Sequence, residues 1–343
     1  MSRLLLIGPK MRMTSNGGTR HSFEQLSSYL KNRLPPKAIS VIYTTEYSLS
    51  ILSFLHVLIS YITSAGTSDK ALINITPGRG LFLTLPLAII SKVFGISFYT
   101  RLFGDDIRYV INRSYFHRFS FAIITYLSNQ TFVQTKNTQR VLSNKYPRIS
   151  HLPTSRPIKN NVYIPLRILP SEPIQLLYVG RIGLEKGIMT VIELSEYHHP
   201  GINIRVAGPL ALGYEDEKRF LGSHIDYLGE VSSDDVINEM SSSHFLVFPS
   251  CHIGEGYPGT IIESFQCSLP VIANNWNCLS ELVRDGYNGF CVPKLNASRL
   301  LHLALLMQSD QERYYRMRIN AFNSGIEFDS HVVYDRLSVA LGI

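Results

Sequence analysis

Acidic side chains are scarce in the first half of this sequence. Residues 1–172 hold 21 Lys and Arg against 6 Asp and Glu, a net +15, whereas residues 173–343 hold 12 against 20, a net −8. An overall charge of +7 hides this division. A half at +15 suits an anionic membrane surface or an anionic lipid-linked substrate. Nucleic acid is set aside as a partner, because no helix-turn-helix, RNP or finger pattern accompanies the charge. Cysteine is absent before residue 251, and Cys251, Cys267, Cys278 and Cys291 have neither CxxC spacing nor a histidine arrangement suited to zinc. They read as reduced thiols in a cytoplasmic protein. Long apolar runs are missing too: Leu49 to Tyr61 and Leu81 to Phe94 fall short of the roughly 20 residues a membrane span needs, and His56, Pro86 and Lys92 interrupt them. These two stretches read as buried or interfacial helices. Met1 to Pro9 lacks the longer apolar region and cleavage site of a secretory signal and reads as a first buried strand. No internal repeat or low-complexity tract is present, and 45% apolar with 17% charged residues is globular composition.

A chain of 343 residues is too long for one ordinary core. It suits two α/β domains of roughly 170 residues each. Short apolar, β-branched runs alternate with helical patterns. Arg3 to Ile7, Ser40 to Thr45, Ala71 to Thr76, Ser97 to Leu102 and Thr131 to Gln134 read as strands, and Phe23, Leu26 and Leu30 form a helical stripe after Asn16-Gly17-Gly18-Thr19. Between Leu152 and Pro173 prolines interrupt the pattern, as expected of a linker. A second series follows, with strands at Ile174 to Val179, Asn203 to Ala207, Ile225 to Leu228, Phe245 to Pro249, Leu269 to Ala273 and Gly289 to Val292, then helices at Ala297 to Gln308, Gln311 to Gly325 and Ser330 to Leu341. The expected fold is α/β, with two Rossmann-like, doubly wound parallel sheets and a helical tail. Domain boundaries are placed at 1–155, a linker at 156–173, a second domain at 174–325 and a last helix at 326–343 that packs back on the first domain.

Chemistry concentrates in two segments of the second half. Phe248-Pro-Ser-Cys-His-Ile-Gly-Glu255-Gly-Tyr-Pro-Gly259-Thr-Ile-Ile-Glu263 reads as a strand end, a glycine-rich turn and a helix start. Such a turn aims the unpaired N–H groups of a helix N-terminus at an anion. Gly254, Gly256 and Gly259 satisfy G-x-G-x-x-G. A dinucleotide fingerprint normally follows the first strand of its domain, and this one follows roughly the fourth. Glu255 and Glu263 are placed to face one anion pocket, where carboxylates accept hydrogen bonds from vicinal sugar hydroxyls. Thr260-Ile-Ile-Glu263 also matches a capping box, which needs no ligand. The second segment, Tyr178-Val-Gly-Arg181-Ile-Gly-Leu-Glu-Lys186-Gly187, again joins a strand end to a helix. Arg181 and Lys186 suit a diphosphate, or are ordinary surface cations.

These residues resemble glycosyltransferase family 4, a family of retaining enzymes with the GT-B fold, in which two Rossmann-like domains face a central cleft. The resemblance runs over most of the chain and is sharp from about Gly180 to Pro293. It implies that Arg181 and Lys186 bind the donor diphosphate, that Glu255 lies near the transferred sugar, and that Glu263 meets the ribose hydroxyls. It further implies that Gly256, Tyr257, Pro258, Gly259 and Thr260 meet the sugar and phosphate, although Pro258 has no N–H to give. Leu228-Gly229-Glu230 resembles the family's segment flanking the base, and Asn16-Gly17-Gly18 resembles its glycine loop that approaches the donor across the cleft. Where the family often carries His-Gly or His-Asp, this chain reads Arg101-Leu-Phe-Gly-Asp105-Asp106, so Asp105 takes the sugar-facing role or the Asp-Asp pair caps a helix before Ile107. The family's Asn-Gly before the linker is replaced by Leu152-Pro-Thr154-Ser.

The implied reaction moves a hexose from a nucleotide diphosphate sugar to a saccharide acceptor, expected to be lipid-linked, with retention at the anomeric carbon. Arg181, Lys186 and the helix N-terminus put positive charge where the leaving diphosphate develops negative charge. No DxD-type cluster occurs in a comparable loop, so no metal and no other cofactor is expected. Lys10, Arg12, Arg20, Arg108, Arg113 and Arg118 suit an anionic membrane on its cytoplasmic side or a generally basic solvated surface. Two rivals share the fold: a sugar-nucleotide 2-epimerase, and a donor-binding subunit without catalysis.

Overall fold

A computed structural model of the chain describes residues 3–10, 18–44, 51–159, 173–211, 222 and 224–343. Arg12, Asn16, Gly17 and the linker stretch 160–172 lie outside these residues. The chain divides into two units, Met1–Ser155 with Ser330–Ile343, and Arg156–Asp329.

The first unit holds six parallel strands: β1 (Leu4–Pro9), β2 (Ile39–Thr44), β3 (Lys70–Ile75), β4 (Ser97–Leu102), β5 (Gln130–Val133) and β6 (Ile149–His151), in the order β2-β1-β3-β4-β5-β6. Parallel strands covered on both faces read as continuous apolar runs, and Leu4 to Ile7 of β1 are all buried. Alternate residues serve opposite faces. Leu5 and Ile7 join a core with Tyr61, Leu87 and Phe121, from the helices Ile51–Ala65, Arg79–Val93 and Tyr115–Leu127. Leu4 and Leu6 join Phe23, Leu26 and Leu30 of the helix Gly18–Arg33, together with Val333, Tyr334 and Leu337 of the last helix, Ser330–Leu341. That last helix is tied down by Tyr29, whose hydroxyl donates to Asp335 Oδ1 at 2.6 Å, and by Lys70 Nζ, which donates to the Leu341 carbonyl at 2.6 Å. Strand β6 is absent from the sequence reading. It is three residues long, and Pro147 and Pro153 bracket it.

The second unit repeats the architecture with β7 (Ile174–Val179), β8 (Ile202–Ala207), β9 (Asp226–Gly229), β10 (Phe245–Phe248), β11 (Val271–Asn274) and β12 (Gly289–Val292), in the order β12-β11-β10-β7-β8-β9. The chain therefore builds outward from β7 in one direction, then crosses back to start β10 on its other side. This reversal leaves a crevice at the C-terminal ends of β7 and β10, the place where open α/β sheets receive ligands. Among the described residues no helix is long and apolar enough to cross a membrane.

Candidate functional site

Both sequence segments singled out above emerge at that reversal. β7 and β10 are hydrogen-bonded neighbours, with Leu176 opposite Phe245 and Leu177 opposite Leu246. The loop after β7 runs through Arg181 to a short 3₁₀ turn, Leu184–Lys186, and then to the helix Ile188–Ser195. The loop after β10 runs through Glu255 to the helix Gly259–Gln266. At Gly187 the two loops touch backbone to backbone. Its φ is +77°, and a Cβ there would lie 2.2 Å from the Pro249 carbonyl oxygen, so only glycine fits on both counts. Cys251 N–H donates to the Glu185 carbonyl at 2.9 Å and reinforces the junction. Asn274 braces it from behind, donating through Nδ2 to the Pro249 carbonyl at 2.6 Å and accepting from Leu295 N–H at 2.7 Å.

This junction brings Lys186 to Glu255, Nζ to Oε2, at 2.7 Å. The two side chains are only 21% and 10% exposed, so water screens the pair weakly. Ser250 donates its hydroxyl to the same Glu255 oxygen at 2.6 Å. Tyr178 lies beneath, its hydroxyl donating to the Arg181 carbonyl at 3.0 Å. Burial, and secondly the Glu255 charge, push that hydroxyl far above its ordinary pKa, so it remains protonated. Arg181 behaves differently from Lys186. Its guanidinium pairs with Glu185 at 2.5 Å in an i,i+4 arrangement with both side chains about half exposed. Exposed pairs of this kind contribute about 0–1 kcal/mol, so little opposes their exchange for another anion.

Glu263 is not in a capping box. The helix starts at Gly259 with Pro258 as its N-cap and no side-chain cap, so Thr260 already lies inside the first turn. The Glu263 carboxylate instead accepts from Arg156 Nε at 2.7 Å through Oε1. Arg156 is the first residue of this unit, fixed by its N–H to the Phe328 carbonyl at 3.0 Å and by Gln266 Nε2 donating to its own carbonyl at 3.0 Å. Its guanidinium lies against the start of the helix: a Cβ on Gly259 would meet Arg156 Nη2 at 1.9 Å. Helix N–H groups at Gly259, Thr260 and Ile261 precede the first possible intrahelical bond and carry the positive end of the helix dipole. Glu255 and Glu263 are thus each held by a cation of their own, one on either flank of this N-terminus.

Tyr257 is buried, its hydroxyl donating to Glu281 Oε2 at 2.5 Å and its ring edge-on to Phe328, so only its backbone is available to a ligand. Gly256 accepts from the Cys278 thiol at 3.1 Å. Leu228 sits half-buried at the end of β9, the edge strand three places from β10. All four cysteines are free, Cys251 exposed and Cys267 and Cys278 buried.

In the first unit, Gly18 opens the first helix. Asp105 is buried, accepting from Thr135 Oγ1 at 2.9 Å, from Thr138 Oγ1, and from Arg108 Nη2 at 2.9 Å. It ties the turn after β4 to the helix Lys136–Ser143. Asp106 occupies the N-cap of Ile107–Arg113 without a side-chain capping bond.

Arg156, Glu185, Ser250 and Asn274 were not assigned roles from the sequence. Glu185 and Ser250 sit within the two segments singled out there; Arg156 and Asn274 lie outside both. Arg156 stands 107 residues from its carboxylate partner, beyond any local pattern.

Residues 167–324 match the family model described as Glycosyl transferases group 1. The chain is 31% identical over 164 residues to an uncharacterized glycosyltransferase of Methanocaldococcus jannaschii, covering 47% of this chain and 44% of that one. It is 30% identical over 120 residues to O-antigen chain mannosyltransferase B of Escherichia coli, covering 32% and 30%. These alignments span less than half of the relatives' own lengths. In fold, the chain resembles Anabaena HepE, solved with UDP and with UDP-glucose, at a TM-score of 0.74 for the UDP complex, 15% identity and 99% coverage of both chains. The two parallel six-stranded sheets are those of the GT-B glycosyltransferase fold.

Proposed function

We propose that this chain is a glycosyltransferase that moves a hexose from a nucleotide diphosphate sugar to a saccharide acceptor carried on a lipid, in the assembly of a cell-surface polysaccharide. One observation carries the reading: two cation–carboxylate pairs, Lys186–Glu255 and Arg156–Glu263, flank a helix N-terminus where the strand order reverses. In this reading the donor diphosphate lies over the N–H groups of Gly259 and Thr260. Arg181 exchanges Glu185 for a phosphate, and charge-assisted bonds to phosphate are stronger than the exposed pair it gives up. Lys186 is a point charge beside the leaving oxygen. Glu255 holds that ammonium in place and accepts from the sugar hydroxyls. Glu263 keeps Oε1 on Arg156 and offers its other oxygen to the ribose, while Leu228 lies toward the base.

The reaction then needs no covalent nucleophile. The bond from the anomeric carbon to the diphosphate breaks, the acceptor oxygen bonds to the same face, and the acceptor proton passes to the departing phosphate oxygen. Charge accumulating on that oxygen is met by Lys186, Arg181 and the helix N-terminus, all in position beforehand. We assign no metal to this step; activity that disappears in chelator and returns with Mg²⁺ or Mn²⁺ would overturn that assignment. The UDP and UDP-glucose bound to HepE support a UDP-hexose as a first donor to try, and the O-antigen mannosyltransferase supports polysaccharide assembly. The basic first half, at net +15, supports an anionic membrane surface as the working location, on its cytoplasmic face.

A thermal-shift screen of UDP-, GDP- and ADP-sugars identifies the donor, since a ligand bound to the folded state alone raises its stability. Incubation of the labelled donor with lipid extract should yield a labelled glycolipid. An epimer formed from donor alone would identify an epimerase instead, and donor binding with no product in either assay would identify a non-catalytic subunit.

A further inference from the structure

Three helices of the first unit carry apolar side chains on both sides. Ile51–Ala65, Arg79–Val93 and Tyr115–Leu127 connect β2 to β3, β3 to β4 and β4 to β5, successive steps in one direction across the sheet. Right-handed crossovers put all three on one face, where their inner sides share a core. Their outer sides should be polar. In Ile51–Ala65 the outer row is instead Leu52, Leu55, Ile59 and Ile62, at helical spacing. In Arg79–Val93 it is Phe82, Ile89 and Val93, and in Tyr115–Leu127 it is Tyr115, Phe119 and Tyr126. These are not marginal exposures: Leu52 and Val93 are each 77% exposed, Tyr126 72% and Tyr115 87%. Phe82 stacks on Phe116 at 4.9 Å between centroids, joining the second row to the third. Large apolar side chains exposed in rows on three helices of one face mark a contact with a membrane or a protein.

Charge decides between those partners. None of the three helices contains an Asp or Glu. Cations stand at the ends of two of them: Arg79 and Lys92 at the two ends of the second helix, and Arg113 and Arg118 around the start of the third. Arg118 lies 5.6 Å from the Tyr115 ring centroid. A second copy docked face to face would bring equal cations together, whereas a bilayer with anionic headgroups complements both the apolar rows and their basic rim. Tyrosines at the margin suit the headgroup level, where one end of the ring is dry and the other wet. At 15 residues or fewer, these helices reach at most about 22 Å and cannot cross a hydrocarbon core of about 30 Å.

We propose that this outer helical face is a membrane-docking surface, lying in the plane of an anionic bilayer with its apolar rows among the acyl chains. Net positive charge alone would give attraction that salt abolishes; the apolar rows provide a hold that salt does not remove. The proposal is independent of the donor reading and would stand if the chain transferred no sugar.

Flotation of the full chain with phosphatidylcholine vesicles, with and without phosphatidylglycerol, tests it. Binding to the anionic vesicles is expected, weakened but retained in high salt. The triple variant Leu52→Ser, Val93→Ser, Phe119→Ser should lose at least about tenfold in binding, given the apolar area removed. Its thermal stability and its shift with nucleoside diphosphates should match the wild type, which separates failure of docking from failure of folding or of donor binding. Phe119→Trp should show blue-shifted emission on adding vesicles. Wild-type protein that ignores anionic vesicles, a triple variant that floats like wild type, or a wild-type dimer that the triple variant converts to monomer without vesicle binding would each overturn the proposal.

Discussion

The two units share a strand count and a winding logic but treat their charged groups in opposite ways. In the first, the acid in the turn after β4, Asp105, is bound within its own unit by Thr135, Thr138 and Arg108. In the second, Glu255 and Glu263 are each held by a single cation beside a helix N-terminus at the strand-order reversal. A carboxylate that is saturated and buried is a tie. Glu255 takes its bonds from Lys186 and Ser250 through Oε2, and Glu263 takes that from Arg156 through Oε1, so each is oriented through one oxygen while the other keeps capacity to accept more hydrogen bonds. The charge totals of +15 and −8 for the two sequence halves follow the same division: a basic, partly apolar surface on one side, and a constellation of paired charges on the other.

The comparison can be broken most directly at Lys186. Lys186→Ala should lower transfer by about 10²–10³-fold, the usual loss when a donor aimed at developing negative charge is removed, and leave Glu255 short of a partner. A Lys186→Met, Glu255→Gln double variant should recover stability without activity, because the uncompensated charge goes with the lysine. Measured transfer rates and urea midpoints together check this. If Lys186→Ala transfers sugar at the wild-type rate, the assignment of chemistry to the second unit fails.

Asp105→Asn is the counterpart in the first unit. Breaking its buried pair with Arg108 should cost about 3 kcal/mol in urea unfolding, with unchanged affinity for nucleoside diphosphates in the surviving folded protein. A variant of normal stability that no longer transfers sugar would return Asp105 to a sugar-facing role and erase the contrast between the units.

Much of this contrast was hidden from the sequence for a physical reason. The alternation of short apolar runs with amphipathic stretches is local, so strands such as Ser97–Leu102, Ile174–Val179 and Gly289–Val292 were readable to the residue. The two loops were readable because glycines and prolines announce turns, and Gly187 is required by a positive φ and the Pro249 carbonyl. Pairing is not local. Thr260-x-x-Glu263 has the spacing of a capping box, yet Pro258 takes the N-cap and Arg156, far away in sequence, takes the carboxylate. Asp105 likewise finds its threonines 30 and 33 residues on, through packing of a later helix.

Smaller effects sharpen the picture. Arg156→Ala should weaken donor binding by roughly tenfold, as an oriented charge-assisted bond is worth about 1.5 kcal/mol or more. Thermal shifts at graded donor concentrations measure this. Equal affinity would mean that Glu263 needs no orientation. Smallest of all is the thiol pattern. Cys251 is exposed, whereas burial raises the Cys267 pKa to about 12, so its neutral thiol persists through ordinary alkaline pH. At pH 8 a thiol reagent should label Cys251 at once and Cys267 only on unfolding; mass mapping reads the order, and prompt labelling of Cys267 would contradict the core around Phe265.

The most direct test of the central claim is calorimetric titration of UDP, GDP and ADP into the wild type and into Lys186→Met, Glu255→Gln. The account predicts saturable binding of at least one diphosphate to the wild type and a loss of tenfold or more in the double variant, on the scale of a lost charge-assisted contact. Equal affinity in the two proteins, or no diphosphate bound by the wild type, would contradict it.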